Sequence, residues 1–268
     1  MNVPAPTSVF FVRHAESQSN LDKDEIAHGW RDAYPRSLQD ERDADVRLTP
    51  RGVDQARVTG RYLAANLGAF DACYVSPWLR TRHTFDHLLA AYPEEQRDAM
   101  RAATRYEERL RDREQGIVTR LTSAQIAARY PEEAHRQATD GPYYYRPAGG
   151  ESWADISQRL APVLDALART RPGGRLLVVA HDAVILCARK VLLGLDEEEI
   201  LEVAAHAPVR NCAINHVTYD GADGAWRLER WDEVVYGADL ASTVPDHHQR
   251  QGPPGEPEPS GDAHPQGS

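Results

Sequence analysis

Two short, mostly apolar runs in the chain, residues 9–12 and residues 175–180, stop abruptly, the first before Arg13-His14 and the second before His181-Asp182. Runs of this length and composition are typical of fully buried β-strands, and segments of helical periodicity alternate with them along the chain. This alternation predicts an α/β fold, a three-layer α/β/α sandwich with a mostly parallel sheet. The usual ligand site in such a sheet is the crevice outside the carboxyl ends of its strands, so we expect His14 and His181 to lie there together.

The helical segments carry recognisable start and stop signals. Thr49 is a suitable N-cap, Pro50 suits the first helical position, and Ser152 caps a later helix. Gly194 ends the helix that follows His181. Three polar or irregular segments are predicted as loops: residues 21–46, 104–116 and 143–150.

The chain of 268 residues is long enough for one large domain or two small ones. We predict one folded domain over residues 1–240, which ends in a hairpin of two strands near residues 213–219 and 225–231. From about residue 241 the composition turns to Pro, Gly, Glu, Gln and Ser without an apolar pattern. Residues 241–268 are therefore predicted to form a disordered tail.

The net charge of the chain is -10, which argues against a general nucleic-acid-binding protein, since such proteins need a basic face. No stretch approaches the ~18 consecutive apolar residues of a membrane span, and the first residues lack the basic and apolar regions of a secretion signal. Three scattered cysteines, Cys73, Cys187 and Cys212, form no C-x-x-C pair. We therefore expect a reduced, cytoplasmic protein without a nucleic-acid or membrane partner. The oligomeric state cannot be predicted from the sequence.

Two arginines lie near the predicted pair of histidines. Arg13 directly precedes His14, and Arg80 follows a few residues after the strand predicted over residues 71–76. Guanidinium groups match phosphate oxygens bidentately and stay charged at any accessible pH. Because the average charge of the chain is negative, a cluster of two guanidiniums and two imidazoles must be a local feature. It indicates a site for an anion such as a phosphate group.

Five stretches of the chain resemble, in the expected order, the motifs of the first branch of the histidine phosphatase superfamily, the phosphoglycerate mutase-like proteins. The first stretch is Arg13-His14-Ala15-Glu16 with Asn20 behind it, and Ala15 stands where the family commonly has glycine. The other four stretches are residues 48–56, 76–81, 150–153 and 178–181. Each motif is weak alone, but five motifs in order are specific, and together they cover most of the chain except the tail.

The resemblance implies a phosphoglycerate mutase-like fold and a covalent mechanism in which residues 1–240 are the catalytic domain. His14 would attack the phosphorus atom and become a phosphohistidine, which splits one difficult displacement into two easier ones. Arg13, Arg80 and His181 would hold the phosphate oxygens, where charge gathers during phosphoryl transfer. The scheme requires no metal and no other cofactor, and its partner is a small phosphorylated substrate. Further substrate contacts are expected from Ser19, Asn20 and Asp182.

A carboxylic acid must protonate the leaving oxygen and then accept a proton from the incoming water. The family commonly has a glutamate in a stretch that residues 109–116 resemble, and alignment on Leu110 and Gly116 puts Asp112 at its position. The second branch instead takes its acid from the residue after the second histidine, which here is Asp182. We favour Asp112. The alternatives in the same stretch are Glu114 and, more remotely, Glu107 or Glu108.

We therefore predict a phosphatase, a phosphomonoesterase that works through a phosphohistidine on His14. The alternative within the family is a phosphoglycerate-type mutase. We disfavour it because the inserted segment of this chain and the stretch that carries the candidate acid do not closely resemble those of the mutases. The alternative outside enzymes is a phosphate-binding or interaction protein without turnover. The sequence leaves the substrate open, since its choice would depend on loops at residues 21–46 and 134–150.

Overall fold

The structure of the chain, a computed structural model, describes residues 7–170 and 172–242. The strands are β1 (Thr7–Arg13), β2 (Ala72–Val75), β3 (Thr104–Tyr106), β4 (Arg175–Ala180), β5 (Ile214–Asp220) and β6 (Ala225–Glu233). They form one mixed sheet in the order β3-β2-β4-β1-β5-β6. The pairs β3–β2, β2–β4 and β4–β1 are parallel, whereas the hairpin of β5 and β6 adds an antiparallel edge. The predicted, mostly parallel sheet is confirmed.

The helices are α1 (Gln18–Ala27), α2 (Arg36–Gln39), α3 (Pro50–Asn66), α4 (Leu79–Leu89), α5 (Glu94–Ala102), α6 (Ser123–Arg129), α7 (Pro131–Tyr144), α8 (Trp153–Thr170), α9 (Asp182–Leu193) and α10 (Glu197–His206). The predicted caps are confirmed. Thr49 accepts a hydrogen bond from the backbone of Gly52, and the hydroxyl of Ser152 accepts one from the backbone of Asp155. Gly194 ends α9 in the left-handed conformation, with φ of 68°.

Side chains alternate across the central strands and divide the apolar core into two parts. On β1, Phe10 and Val12 face one side of the sheet, while Val9 and Phe11 face the other. The first side packs against α3, α4 and α5, and the second side packs against α8, α9 and α10. A sheet buried on both faces is what the continuous apolar runs require, and the predicted three-layer sandwich is confirmed.

The register of the parallel strands brings the polar residues that follow them to one place. Arg13 of β1 lies opposite Ala180 of β4, so the next residues on the two strands, His14 and His181, are neighbours. The backbone N–H of His14 donates to the carbonyl of Ala180 at 2.9 Å and extends the pairing by one residue. On the other side of β4, β2 ends at the same edge and is followed by Ser76.

The three segments predicted as loops contain regular structure. Most of α1, all of α2 and a 3₁₀ turn at Asp43–Asp45 lie within residues 21–46. Residues 104–116 hold β3 and a 3₁₀ turn at Glu108–Leu110, and α7 runs to Tyr144 within residues 143–150. The loop predictions were therefore wrong for much of residues 21–46 and 104–116, whereas residues 145–150 form a loop as predicted. Helices α5 and α10 were not predicted.

The sequence pattern could not show α1 because this helix has no apolar stripe. The residues that α1 buries are two aspartates, Asp22 and Asp24. The helix begins instead with a capping box, in which the side chains of Ser17 and Asn20 each bond the backbone of the other. Hydrophobic periodicity detects helices that bury apolar side chains, so a helix that buries carboxylates gives no such signal.

Other expectations concern the cysteines, membranes and the tail. Cys73, Cys187 and Cys212 are all free, buried thiols. Within the described ranges, no helix has the length and apolar character to cross a membrane. The tail predicted from residue 241 lies, from residue 243 onward, outside the described residues, and its disorder stays a prediction.

The start of α3 packs directly on the loop that follows β1. A β-carbon on Gly52 would lie 2.1 Å from the carbonyl oxygen of Glu16, far inside any contact distance between heavy atoms. The neighbouring atoms are backbone rather than flexible side chain, so they cannot move aside cheaply. Glycine at this position therefore lets the helix approach the loop that carries His14.

We predict that Gly52→Ala lowers the free energy of unfolding by about 1–3 kcal/mol, the usual cost of forcing an added carbon into a packed site. The matched control is Gly221→Ala, because a β-carbon on Gly221 would meet nothing within 4 Å. That control should change stability by less than about 1 kcal/mol. Urea unfolding of both variants measures the difference, and equal stability of the two would contradict the close packing.

Candidate active site

The two histidines that follow β1 and β4 form the centre of a buried polar cluster. Their ring centroids are 5.1 Å apart, and their side chains are 2% and 0% exposed for His14 and His181. Arg13 and Arg80 are buried beside them, and Asp112 approaches from the segment after β3. The structure thus brings together the five residues that the sequence proposed as catalytic.

A single hydrogen bond defines the tautomer of His14. Its Nδ1 lies 2.8 Å from the carbonyl oxygen of Ala15. A carbonyl oxygen can only accept, so Nδ1 must carry the proton of the neutral ring. The lone pair of the neutral ring is then on Nε2. The His14 backbone is also held, because its carbonyl accepts from Nδ2 of Asn211 at 2.9 Å.

The surroundings of His14 favour its neutral form. Burial is the largest effect, because it removes water from the charged form, and it lowers the pKa of His14 well below 6.5. The positive charge of Arg80 lowers this pKa further, and His181 and Arg13 act in the same direction. The unprotonated ring therefore persists at neutral pH and below.

Arg80 lies in the first turn of α4 and connects three parts of the structure. Its Nη2 donates to Oδ2 of Asp112 at 2.7 Å and to Oδ2 of Asp43 at 3.3 Å. Its Nη1 donates to the backbone carbonyl of Asp43 at 2.7 Å. The guanidinium carbon also lies 4.5 Å from the centroid of the Trp78 ring. These contacts fix the orientation of a charge that is only 4% exposed.

Asp112 and His181 form a coupled pair beside Arg80. Oδ2 of Asp112 lies 3.2 Å from Nδ1 of His181, an electrostatic contact rather than an aligned hydrogen bond. Burial by itself would raise the pKa of Asp112, but the contacts with His181 and Arg80 outweigh burial and hold this pKa well below its ordinary range. Burial lowers the pKa of His181, against the pull of Asp112. The pair is therefore a carboxylate beside a neutral imidazole.

His181 is fixed at its other nitrogen by Ser76. The hydroxyl of Ser76 lies 2.8 Å from Nε2 of His181, and both groups are fully buried. Ser76 follows β2, so three neighbouring strand ends each contribute a side chain to the cluster. Ser76 belongs to the motif at residues 76–81, but no role was predicted for it from the sequence.

The residues predicted as further substrate contacts lie at two helix starts. Ser19 and Asn20 are half-buried in the first turn of α1. Oδ1 of Asn20 accepts from the backbone and the hydroxyl of Ser17, at 3.1 and 3.0 Å, and so completes the capping box. Asp182 is the first residue of α9 and is buried directly after His181.

The alternative acids differ from Asp112 in their surroundings. Glu107 is bonded to the side chain of Arg109 at 2.7 Å, and this bond lowers the pKa of Glu107. Burial raises the pKa of Glu114, and the carboxylate of Glu151 adds to that effect against Arg111. Of these candidates, Asp112 is the one whose ligand atom lies within 4.8 Å of the ring nitrogens of both histidines.

Two glutamates, Glu16, which is buried, and Glu151, which is partly buried, hold the loops of the cluster. Glu16 accepts from the hydroxyl of Thr49 at 2.6 Å and from Nε of Arg51 at 2.9 Å. It thereby ties the loop after β1 to the start of α3. The motif at residues 48–56 therefore holds the loop that carries His14 in place. The sequence motif identified this stretch, but it did not predict that structural role.

Glu151 likewise holds the segment that carries Asp112 in place through hydrogen bonds. Its carboxylate accepts from Arg111 at 2.6 Å and from Nε of Arg159 at 2.9 Å. Nη2 of Arg159 donates in turn to the backbone carbonyls of Arg111 and Asp112, at 2.9 and 3.2 Å. The motif at residues 150–153 therefore positions the carboxylate, although Arg159 itself carried no signal in the sequence.

The described residues also bring three potential metal-ligand atoms within 4.8 Å of one another, from His14, Asp112 and His181. Oδ2 of Asp112 already accepts from the guanidinium of Arg80 at 2.7 Å. A cation bound to that oxygen would lie beside a fixed positive charge. The electrostatics of the cluster therefore favour an anion.

We predict that the ring of His14 stays neutral as the pH falls through 6.5 and takes up a proton only well below that value. A lowered pKa means that the deprotonated form dominates further into the acid range. Ring ¹⁵N spectra over a pH series measure this, with the His14 signals identified by their loss in His14→Ala. They should also report Nε2 as the unprotonated nitrogen. A midpoint at or above 6.5, or protonation of Nε2 in the neutral ring, would be incompatible with the geometry.

Known proteins with similar sequences have different enzymatic activities. A 2,3-bisphosphoglycerate-dependent phosphoglycerate mutase of Methylobacterium radiotolerans is 31% identical over 202 residues, which are 74% of this chain and 85% of that protein. A 6-phosphofructo-2-kinase/fructose-2,6-bisphosphatase of Gallus gallus is 29% identical over 195 residues, which are 73% of this chain and 34% of that protein.

Solved structures share the fold at lower sequence identity. An alpha-ribazole phosphatase from Shigella flexneri superimposes with a TM-score of 0.65 at 19% identity, covering 86% of this chain and 98% of that one. A mycobacterial glucosyl-3-phosphoglycerate phosphatase in complex with VO3 gives a TM-score of 0.61 at 22% identity, covering 84% of this chain and 98% of that one. At such identities the likeness shows the fold alone.

The sequence model of the histidine phosphatase superfamily (branch 1) matches residues 9–234. The matched range begins within β1, ends just after β6 and includes the whole buried cluster. The chain belongs to branch 1 of the histidine phosphatase superfamily, as its five motifs predicted.

Proposed function

We propose that the protein is a phosphomonoesterase that hydrolyses a phosphate ester through a phosphohistidine on His14. The observation that carries this proposal is the hydrogen bond from Nδ1 of His14 to the Ala15 carbonyl, which leaves the lone pair on Nε2. Burial and the neighbouring charges lower the pKa of His14, so the ring is unprotonated at working pH. A neutral imidazole with a fixed tautomer is a competent nucleophile.

In the proposed first step, Nε2 of His14 attacks phosphorus, and the bond between phosphorus and the ester oxygen breaks. The leaving oxygen takes a proton from Asp112. In the second step, water gives a proton to Asp112 while its oxygen attacks the phosphohistidine, and inorganic phosphate leaves. The net reaction converts ester and water into alcohol and phosphate, with His14 and Asp112 restored.

The remaining cluster residues are proposed to hold the phosphoryl group. Arg13 and Arg80 supply fixed positive charge next to the nucleophile, and His181 adds a ring held by Ser76. Such groups stabilise the charge on the equatorial oxygens without reorganising during the reaction. Ser19, Asn20 and Asp182 are proposed as further contacts to the substrate.

Asp112 needs a proton to act as the acid, although its pKa is low while the site contains no phosphate. The low value depends partly on Arg80, whose Nη2 donates to Oδ2 of Asp112. A phosphate dianion beside Arg80 would place negative charge close to Asp112 and would compensate the guanidinium. Both effects raise the pKa of a carboxylate. We propose that a bound phosphate dianion raises the pKa of Asp112, so that its carboxylate takes up a proton from solvent before the ester oxygen leaves.

A phosphoglycerate-type mutase is the second candidate. Its support is the sequence likeness to the phosphoglycerate mutase of Methylobacterium radiotolerans, which is 31% identical. The same nucleophile and phosphoenzyme would serve either reaction, so the two differ in what happens to the phosphoryl group. Water accepts it in a phosphatase, whereas a second hydroxyl of a phosphoglycerate accepts it in a mutase.

We predict that His14→Ala lowers kcat for an activated aryl phosphate by a factor of about 10³ or more while the fold is retained, since the nucleophile is lost. The wild type should turn over this ester in the presence of a chelator and give an acid-labile phosphoenzyme on rapid quenching. The matched control is His206→Ala, which removes an exposed histidine at the end of α10. It should keep wild-type activity and trap the same phosphoenzyme.

The outcomes of this experiment separate the candidate functions. Retained activity in His14→Ala would refute the mechanism. A wild type that traps phosphate and interconverts phosphoglycerates, without releasing phosphate to water, would establish the mutase. A folded wild type that binds phosphate but shows neither turnover nor a phosphoenzyme would establish a binding protein.

We predict that Asp112→Asn slows alkyl phosphates about 10²-fold or more but slows an activated aryl phosphate less than about tenfold, because an activated leaving group needs no proton. Glu114→Gln and Asp182→Asn, measured on the same pair of esters, are the controls. Equal slowing of both esters by Asp112→Asn would remove the acid role. A larger difference between the esters in either control would move that role to the altered residue.

A further inference from the structure

A cleft of about 460 Å³ opens beside the cluster. It shares Trp78 and Asp43 with the surroundings of Arg80, since both contact the Arg80 guanidinium. The volume lies within the range of about 300–1,000 Å³ typical of sites for small molecules. An ester whose phosphate is held by Arg80 would therefore extend its leaving group into this cleft, and the walls of the cleft would select that group.

One arginine in the wall, Arg120, is engaged by its own protein. Its Nη1 donates to the backbone carbonyls of Leu38 and Glu41, and its Nη2 donates to Oδ1 of Asp43 at 3.1 Å. A guanidinium recognises a carboxylate bidentately by offering two parallel N–H donors. These bonds engage three of the five N–H groups of Arg120, and the carboxylate of Asp43 compensates its charge. Nε of Arg120 is buried and has no acceptor among the described residues.

The second arginine in the wall, Arg42, is directed to solvent. Its side chain is 81% exposed, and its Nη1 lies 3.8 Å from a carboxylate oxygen of Asp45. An exposed charge of this kind is screened by water and salt and holds a second anion weakly. Each arginine of the lining thus already lies beside an aspartate of the protein, Arg120 beside Asp43 and Arg42 beside Asp45.

The carboxylates of the wall are more numerous. Glu41, Asp43 and Glu114 all line the cleft. Asp43 is paired with both Arg80 and Arg120. Among the described residues Glu41 and Glu114 form no ion pair, so their carboxylates leave this wall with a negative charge that an anionic leaving group would have to approach. Gln39 and Thr119 add neutral hydrogen-bonding groups to the same lining.

We infer that the cleft selects phosphate esters whose leaving group is uncharged and carries hydroxyl groups, and that it rejects esters with a second anionic group. Carboxylates and amides in the wall can accept hydrogen bonds from hydroxyls. A carboxylate in the same place would meet the like charges of Glu41 and Glu114. This inference rests on the proposed phosphatase function and narrows its substrate to the class of polyol and sugar monophosphates.

The test compares glycerol 3-phosphate with 3-phosphoglycerate, which share a three-carbon skeleton and differ by one carboxylate. We expect kcat/KM for glycerol 3-phosphate to be about tenfold higher or more, the size of effect produced by a like charge near a partly screened wall. Calorimetric binding of both esters to His14→Ala gives the same comparison without turnover. Equal or better use of 3-phosphoglycerate, or its tighter binding, would overturn the inference.

A charge reversal in the wall locates the cause. Glu41→Lys should lower the preference for glycerol 3-phosphate about tenfold, because it replaces a repulsive charge by an attractive one. The matched control is Glu95→Lys, which makes the same change at an exposed position on α5. It should leave the preference within about twofold, since an exposed distant charge is screened. Equal shifts from both variants, or no shift from Glu41→Lys, would also overturn the inference.

These outcomes are separate from those that decide the proposed function. If the aryl phosphate is hydrolysed but the preference between the two esters is absent, the inference fails and the phosphatase stands. If no ester is hydrolysed, the phosphatase fails, and the binding ratio measured on His14→Ala still decides the selectivity of the cleft.

Discussion

The parallel pairing of β1 with β4 is the constraint on which the rest of the site depends. Because Arg13 lies opposite Ala180, the two strands end at the same level, and the rings of His14 and His181 meet. A slip by one residue would turn every side chain of β1 to the other face of the sheet and separate the rings. The two apolar cores that flank the sheet oppose such a slip, so hydrophobic packing at the centre fixes polar geometry at the edge.

The loops beyond the strand ends are fixed by hydrogen-bonded carboxylates rather than by apolar packing. Glu16 joins its loop to Thr49 and Arg51, and Glu151 joins the Asp112 segment to Arg111 and Arg159. Carboxylates that accept several charge-assisted hydrogen bonds hold a loop in one conformation more sharply than apolar contacts do. The arrangement explains why two of the motifs contain glycine. Gly52 and Gly150 stand where a β-carbon would collide with the backbone of these loops.

How much the sequence could predict follows from the kind of signal each part carries. The buried strands and apolar helices were predictable because burial on both faces leaves continuous or periodic apolar residues, as in residues 175–180. The polar helix α1 could not be predicted from the sequence, since the residues it buries are aspartates. The cluster could be proposed because strand ends meet at one edge. The roles of Asn211 and Arg159 could not be proposed from the sequence, because both residues act through contacts with the backbone of distant parts of the chain.

One consequence of the contact between Asp43 and Arg80 concerns the exchange of parts between related enzymes. Asp43 belongs to the segment that walls the cleft, yet its carboxylate and its carbonyl both accept from the Arg80 guanidinium of the buried cluster. The same carboxylate accepts a hydrogen bond from Arg120, which also lines the cleft. The segment is therefore not an independent module. Grafting a relative's loop in its place would remove the acceptors that orient Arg80 as well as reshape the cleft, so the cleft and the buried cluster would change together.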